Sequence, residues 1–320
     1  MLEPQTQRLL AEVAGKRLPK IWEMSPQELR ATFDAFFAEH GLPPADLVDR
    51  EDVEIPGPAT PIRARIYRPR DTPSGPRPGL LYLHGGGMVC NSVDTYDALV
   101  QHLCAGSGCV VVSSDYRLAP EHPFPAGLDD AYSAACWMHE HAARLGADPE
   151  RLAVGGDSAG GYLTAAITQI ARDAGAPPLV FQMLIYPAVG TRGVSRSLVA
   201  NASGYLFERD ELDWIYSVYL ADPRDSLDPR ACPILQPDFA GLPPAFVLTA
   251  EYDILRDDGE DYAHLLEQAG VPVEVHRYEG TIHPFLNLAG SIDLGRQAIE
   301  ECAAKLREGV ALEHEAARSR

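Results

Sequence analysis

The chain has 320 residues, 46% hydrophobic and 23% charged, with 46 acidic against 27 basic side chains and a formal net charge of −19. That size and composition fit one globular catalytic core carrying an insertion, and they exclude low-complexity and collagen-like chains. The acidic balance repels nucleic-acid phosphates and anionic lipid surfaces and disfavours anionic substrates, so the expected partner is a small neutral molecule, with no nucleic acid and no membrane.

No window approaches about 18 uncharged apolar residues, so no membrane-spanning helix is expected. The start Met1-Leu2-Glu3-Pro4-Gln5 lacks the basic and apolar runs of a secretory signal, which makes the cytoplasm the expected compartment. Cys90, Cys104, Cys109, Cys136, Cys232 and Cys302 stand without CxxC pairs or zinc-ligand spacing and read as free thiols.

Residues 1–45 read as helical, with Leu9, Leu10 and Val13 on one face and a second run over 26–37, closed by Gly41-Leu42-Pro43-Pro44. Strand-type alternation follows from Val53 through Ile62-Arg63-Ala64-Arg65-Ile66-Tyr67, with Pro56-Gly57-Pro58 between the two runs, the pattern of a hairpin at a sheet edge. Short apolar strands are then expected at 80–83, 110–113, 152–154, 181–185, 246–249 and 273–275, alternating with longer helical stretches. Such alternation implies crossover helices and a largely parallel sheet. Residues 186–243 break the rhythm, with a helix-like run at 208–220 and proline-punctuated segments after it. The chain therefore divides into an N-terminal helical cap element (1–45), a first part of the α/β core (46–185), an inserted cap segment (186–243) and a second part of the core (244–320). The tail over 313–320 reads as frayed.

Gly156-Asp157-Ser158-Ala159-Gly160 follows one of these strands and precedes a helix-compatible run. This is G-x-S-x-G in the strand-turn-helix setting that presents a nucleophilic serine, with small residues two positions to either side where a side chain would collide. His84-Gly85-Gly86-Gly87, directly after the strand at 80–83, supplies consecutive glycines whose amides, with that of Ala159, form a candidate oxyanion hole. No Gly-Lys-Ser/Thr ending marks it as a phosphate loop, and His84 reads as a brace for the loop. A serine hydroxyl needs a base and an orienting carboxylate, here in the chain order Ser, Asp, His. His283, in the loop after the last strand, is the best-placed base, and Asp253, just past the strand at 246–249, is the carboxylate. Asp257 and Asp258 fall where a helix begins and read as first-turn charges. His139 and His141 form an isolated H-x-H without a third ligand, and His276 lies inside a strand, so neither a metal nor a cofactor is expected.

These pieces resemble the hormone-sensitive-lipase-like esterases, the bacterial family IV of the α/β-hydrolase superfamily. The likeness runs from about residue 50 to the C-terminus and includes the two glycine motifs, Asp115-Tyr116-Arg117-Leu118-Ala119-Pro120, Asn201-Ala202-Ser203-Gly204-Tyr205-Leu206, Asp228-Pro229-Arg230, Asp253 and His283. It implies an α/β-hydrolase fold, a mostly parallel central sheet flanked by helices with a helical cap. It also implies Gly86, Gly87 and Ala159 as oxyanion donors, membership of the subgroup with Asp before the serine, and hydrolysis of short- to medium-chain carboxylic esters. Similar esterases often form homodimers through the last strand and C-terminal helix, here 271–278 with 290–306. Two departures stand out: Pro284 where such esterases carry Gly, and Cys90 shortly after the glycine cluster, where it would line the pocket. Leu206, Phe207, Trp214 and Tyr219 would wall the acyl side. The same triad also serves amidases, lactonases and acyltransferases, and a non-catalytic binding protein of this fold would lack one of the three residues.

Overall fold

Eight strands carry the fold: β1 (Val48–Ile55), β2 (Ile62–Pro69), β3 (Arg77–Leu83), β4 (Val110–Ser114), β5 (Ala147–Asp157), β6 (Phe181–Ile185), β7 (Ala245–Tyr252) and β8 (Val273–Ile282). They form one sheet in the order β1-β2-β4-β3-β5-β6-β7-β8. The β1–β2 and β2–β4 pairs are antiparallel, and every pair from β4 through β8 is parallel. This is the α/β-hydrolase architecture, in a computed structural model that describes residues 1–16, 19–70, 75–190 and 195–318, with side chains as far as Ala311.

Strands β4 and β6 are buried along their whole length, and β3 and β5 over their C-terminal parts, because helices cover both faces of the sheet. Side chains alternate between the faces. Leu80 and Tyr82 of β3 pack toward α3 (Asp97–Ser107) and α10 (Asp293–Arg318), while Leu81 and Leu83 pack toward α4 (Ala126–Glu140) and α6 (Ala159–Ala174). Two further helices frame this core, α5 (Ala142–Leu145) and α9 (Arg256–Gln268). The edge hairpin starts at Val48, earlier than the alternation suggests. Asp49, Arg50, Glu51 and Asp52 are solvent-facing on this outermost strand, and their charges conceal its periodicity.

The N-terminal stretch forms α1 (Pro4–Lys16) and α2 (Pro26–His40). Helix α2 opens on a capping box, Ser25 Oγ accepting from the Glu28 amide and Glu28 from the Ser25 amide, with Pro26 in the first turn. Between β6 and β7 the described residues form α7 (Arg196–Ala200), α8 (Arg209–Tyr219) and two short 3-10 turns, and no strand. Helix α10 continues to Arg318, so the backbone stays helical through most of the stretch expected to fray; side chains beyond Ala311 lie outside the described residues.

Candidate active site

Ser158 sits between the end of β5 and the start of α6 with φ 55° and ψ −114°, a backbone conformation that non-glycine residues avoid. Its surroundings hold it there. The Ser158 amide donates to Ile185 O at 2.8 Å, and its carbonyl accepts from Tyr162 N at 3.0 Å and Ala188 N at 3.1 Å. A side chain on Gly160 would run into the backbone carbonyls of Leu83 and His84, which is why the residue after next must be glycine.

The loops after β7 and β8 deliver two side chains to this turn. His283 Nε2 lies 2.9 Å from Ser158 Oγ, and His283 Nδ1 lies 2.7 Å from Asp253 Oδ2. Asp253 Oδ1 accepts from the Leu255 amide at 2.8 Å, and its main-chain carbonyl accepts from Asn201 Nδ2 at 3.0 Å. The imidazole is held between Tyr186, with ring centroids 4.7 Å apart, and Phe207, at 4.9 Å. All three polar residues are buried. The sequence therefore names a serine, a histidine and a carboxylate that the fold brings into one hydrogen-bonded chain. These ring contacts and hydrogen bonds fix the imidazole so that one nitrogen faces the hydroxyl and the other the carboxylate.

Gly86 (φ 114°) and Gly87 (φ 61°) occupy conformations open to glycine, and their amides have no acceptor among the described residues. The Ala159 amide, in the first turn of α6, has no intrahelical acceptor. His84 braces this loop: its Nδ1 meets Gly85 O at 2.7 Å, its ring stacks on Tyr116 at 4.3 Å, and the Tyr116 hydroxyl donates to His84 O at 2.7 Å. Burial pushes the His84 pKa down, which favours the neutral ring that this brace uses. The neighbouring motif residues have structural work of the same kind, Asp115 accepting from Val93 N at 2.7 Å and Arg117 pairing with buried Asp130 at 2.7 Å.

Asp157, whose contacts no sequence pattern revealed, is the anchor beneath the loop. Its Oδ1 accepts from Gly85 N and from the Tyr82 hydroxyl, each at 3.0 Å, and its Oδ2 from the Tyr96 hydroxyl at 2.8 Å and Asn287 Nδ2 at 3.2 Å. Burial pushes this carboxyl's pKa up, while the bonds from Tyr96 and Tyr82 oppose the rise. Tyr82, Tyr96 and Asn287 come from three distant segments, and in sequence each reads as an ordinary core or loop residue.

A cavity of 410 Å³ opens in front of Ser158. Its walls include Leu10 and Val13 of α1, Phe33 and Phe36 of α2, and Leu206 and Phe207 before α8. The N-terminal helices therefore contribute more of the wall than the aromatics expected there. Trp214 lines neither this cavity nor the small one beside it, and Tyr219 lines only the small one. Helical phase explains the difference, because Leu212, Ile215 and Tyr219 form the buried face of α8 and Trp214 lies off it. Pro284 and Cys90 both line the large cavity. Cys90 is buried, which pushes its thiol pKa up, and its Sγ–H is directed to Gly86 O at 3.3 Å. Both features work against the thiolate that thiol reagents require.

Asp257 and Asp258 lie in the first turn of α9, as their position in sequence suggests. Asp257 accepts from Ser197 N at 2.7 Å. Asp258 is pushed up to about 7, by burial first and then by the neighbouring carboxylates of Asp253, Asp261 and Asp257.

The chain matches the alpha/beta hydrolase fold family over residues 80–287. It is 46% identical over 248 residues to the carboxylic ester hydrolase LipN of Mycobacterium tuberculosis, covering 75% of this chain and 65% of LipN. It is 43% identical over 259 residues to the esterase LipI of the same organism, covering 80% and 81% of the two chains. Among solved structures, ester hydrolase EH1AB1 from the metagenome of Lake Arreo superposes with a TM-score of 0.93 at 41% identity, covering 96% of this chain and 99% of the other.

An amide at 157 presents donors where Gly85, Tyr96 or Asn287 already donate, so Asp157→Asn lowers kcat about tenfold or more by loosening the glycine loop, and lowers Tm by several degrees; steady-state kinetics and calorimetry read both. Asp258 has a folded pKa above its unfolded one, so the fold loses stability as pH rises from the ordinary carboxylate range of about 4 to about 7 and gains nothing back above it. The Tm advantage of Asp258→Asn over wild type is accordingly larger at pH 8 than at pH 4.

Proposed function

The chain belongs to the family of enzymes with the alpha/beta hydrolase fold and is a carboxylesterase of the hormone-sensitive-lipase-like kind, and from that premise we propose that Ser158, His283 and Asp253 are its catalytic triad. The observation that carries this reading is the hydrogen-bonded chain from Ser158 Oγ through both nitrogens of His283 to Asp253 Oδ2.

In this reading His283 Nε2 takes the Ser158 proton as Oγ attacks the ester carbonyl, and Asp253 holds the ring and stabilises the imidazolium that forms. The amides of Gly86, Gly87 and Ala159 receive the developing oxyanion, and each such donor is worth about 3 to 4 kcal/mol in comparable sites. The carbon–oxygen bond to the alcohol then breaks, and the alkoxide takes the proton from His283. Water adds to the acyl-enzyme through the same base, releasing the acid and returning the proton to Ser158. Asp157 before the nucleophile supports assigning the enzyme to the subgroup with Asp at that position, and through its bond from the Gly85 amide Asp157 has a positioning role.

The finer features follow the same reading. The substrates are small neutral esters, a reading that the mainly apolar walls of the cavity support, and the family likeness implies short to medium acyl chains. Residues 1–45 and 186–243 act together as the cap, because both line the cavity above the core formed by 46–185 and 244–320. No described helix is long and apolar enough to cross a membrane, and the enzyme works in the cytoplasm. Strand β8 ends the sheet with an open edge on which Val275 is exposed, and that edge with α10 is the homodimer surface.

The test is hydrolysis of p-nitrophenyl esters from acetate upward by wild type, Ser158→Ala and Asp253→Asn. Wild type is active, Ser158→Ala loses about 10⁶-fold and Asp253→Asn about 10⁴-fold in kcat, and both keep a Tm close to that of wild type. A folded Ser158→Ala variant with undiminished activity would remove Ser158 from the mechanism.

A further inference from the structure

Ser158 opens onto two unequal spaces. The larger, of 410 Å³, is lined by His283 and Pro284 together with α1 and α2. The smaller, of 30 Å³, is lined by Ala159, Tyr162, Leu212 and Tyr219, and His283 is not part of its wall. Gly87, Ser158, Phe207 and Ile215 border both, so the two spaces meet at the nucleophile.

The chemistry of acyl transfer tells them apart. The departing alkoxide oxygen must lie within hydrogen-bond reach of His283 Nε2 to receive its proton. The alcohol therefore leaves on the side that His283 lines, which is the large cavity. The oxyanion faces the amides of Gly86, Gly87 and Ala159. The fourth substituent of the tetrahedral carbon, the alkyl part of the acyl group, is left with the small space behind Ala159.

Size then sets the substrate class. One water-sized group needs about 10 to 15 Å³ on this measure, so 30 Å³ admits about two, the alkyl part of an acetyl or propionyl group. The wall is not free to yield. The Tyr162 hydroxyl is 2.9 Å from that of Tyr219 and donates to Arg230 O at 3.0 Å, and the Tyr216 hydroxyl donates to Gly190 O at 2.6 Å. The cavity on the alcohol side falls within the range of about 300 to 1,000 Å³ that holds small organic ligands, and residues such as Phe33 and Phe36 make its walls mainly apolar, with Lys20, Glu208 and Glu211 also among them.

We propose that this esterase selects esters of a very short acid with a large apolar alcohol, the alcohol lying against α1 and α2 and the acyl group in the small space bounded by Leu212 and Tyr219. The inference rests on the roles given above to Ser158 and His283, and it narrows the acyl range to its short end. It also makes the N-terminal helices the determinants of alcohol specificity and the buried face of α8 the determinant of acyl length.

Two isomers of one formula and similar hydrophobicity, hexyl acetate and ethyl hexanoate, separate the alternatives, because their leaving alcohols are of comparable basicity. Followed by pH-stat with wild-type enzyme, hexyl acetate shows a kcat/KM about tenfold or more above that of ethyl hexanoate. Leu212→Ala, which enlarges only the small space, narrows that gap by raising the rate with ethyl hexanoate. If wild type hydrolyses ethyl hexanoate as fast as hexyl acetate or faster, the assignment of the two spaces is wrong while the triad stands. If neither isomer is hydrolysed, the roles of Ser158 and His283 fall, and this inference falls with them.

Discussion

The strained turn at Ser158 is the constraint on which the rest of the site depends. A serine at φ 55° costs on the order of 1 to 3 kcal/mol and persists only when its surroundings over-determine it. Here three backbone hydrogen bonds grip the residue, one through its amide and two through its carbonyl. Gly160 lets α6 start so close to the end of β3 that the loop after β3 lies directly over the turn. The same closeness brings the loop that carries Gly86 and Gly87 up against the turn, which is what the proposed oxyanion hole requires. The strained turn thus lies beside the loop that carries the candidate oxyanion donors.

Around that turn the molecule is layered by charge. Asp253 and His283 form a pair in which each polar atom that faces the interior has a partner, including the Leu255 amide and the Asn201 side chain. Asp157 lies on the other side of the turn, enclosed by tyrosine hydroxyls and an asparagine. A buried carboxylate without such donors would be strongly destabilising, whereas one that accepts five bonds, the longest from the Tyr186 hydroxyl, can act as a rigid post. The two carboxylates have separate tasks, Asp253 orienting the imidazole and Asp157 holding the glycine loop. Both are supported from segments far apart in the chain, so the site is assembled only in the complete fold.

Much of this was legible in the sequence, for identifiable reasons. Alternating apolar strands and helices are a direct consequence of a covered parallel sheet, and β3, β4, β6 and β7 appear close to where the pattern places them. Ser158, Asp253 and His283 were readable because G-x-S-x-G and the chain order leave few candidates once strand ends are located. The edge strand β1 was harder to delimit, since its solvent face carries charges that hide the alternation. The tyrosine cluster around Asp157 was not legible at all. Tyr82 lies among three leucines of β3, and nothing local distinguishes a tyrosine that fills space from one that donates to a carboxylate across the core. The cavity wall was misjudged at Trp214 for a related reason, because the phase of α8 against the core depends on where the whole helix docks.

The central claim is that the geometry at the turn makes Ser158 the one reactive nucleophile. Stoichiometric inactivation with a p-nitrophenyl alkylphosphonate tests it most directly, with released p-nitrophenol counted against enzyme and the modified peptide located by mass spectrometry. The account predicts one equivalent released per chain, with the phosphonyl group on Ser158 and loss of activity in proportion. Modification of another residue, or full inactivation with Ser158 unmodified, would contradict it.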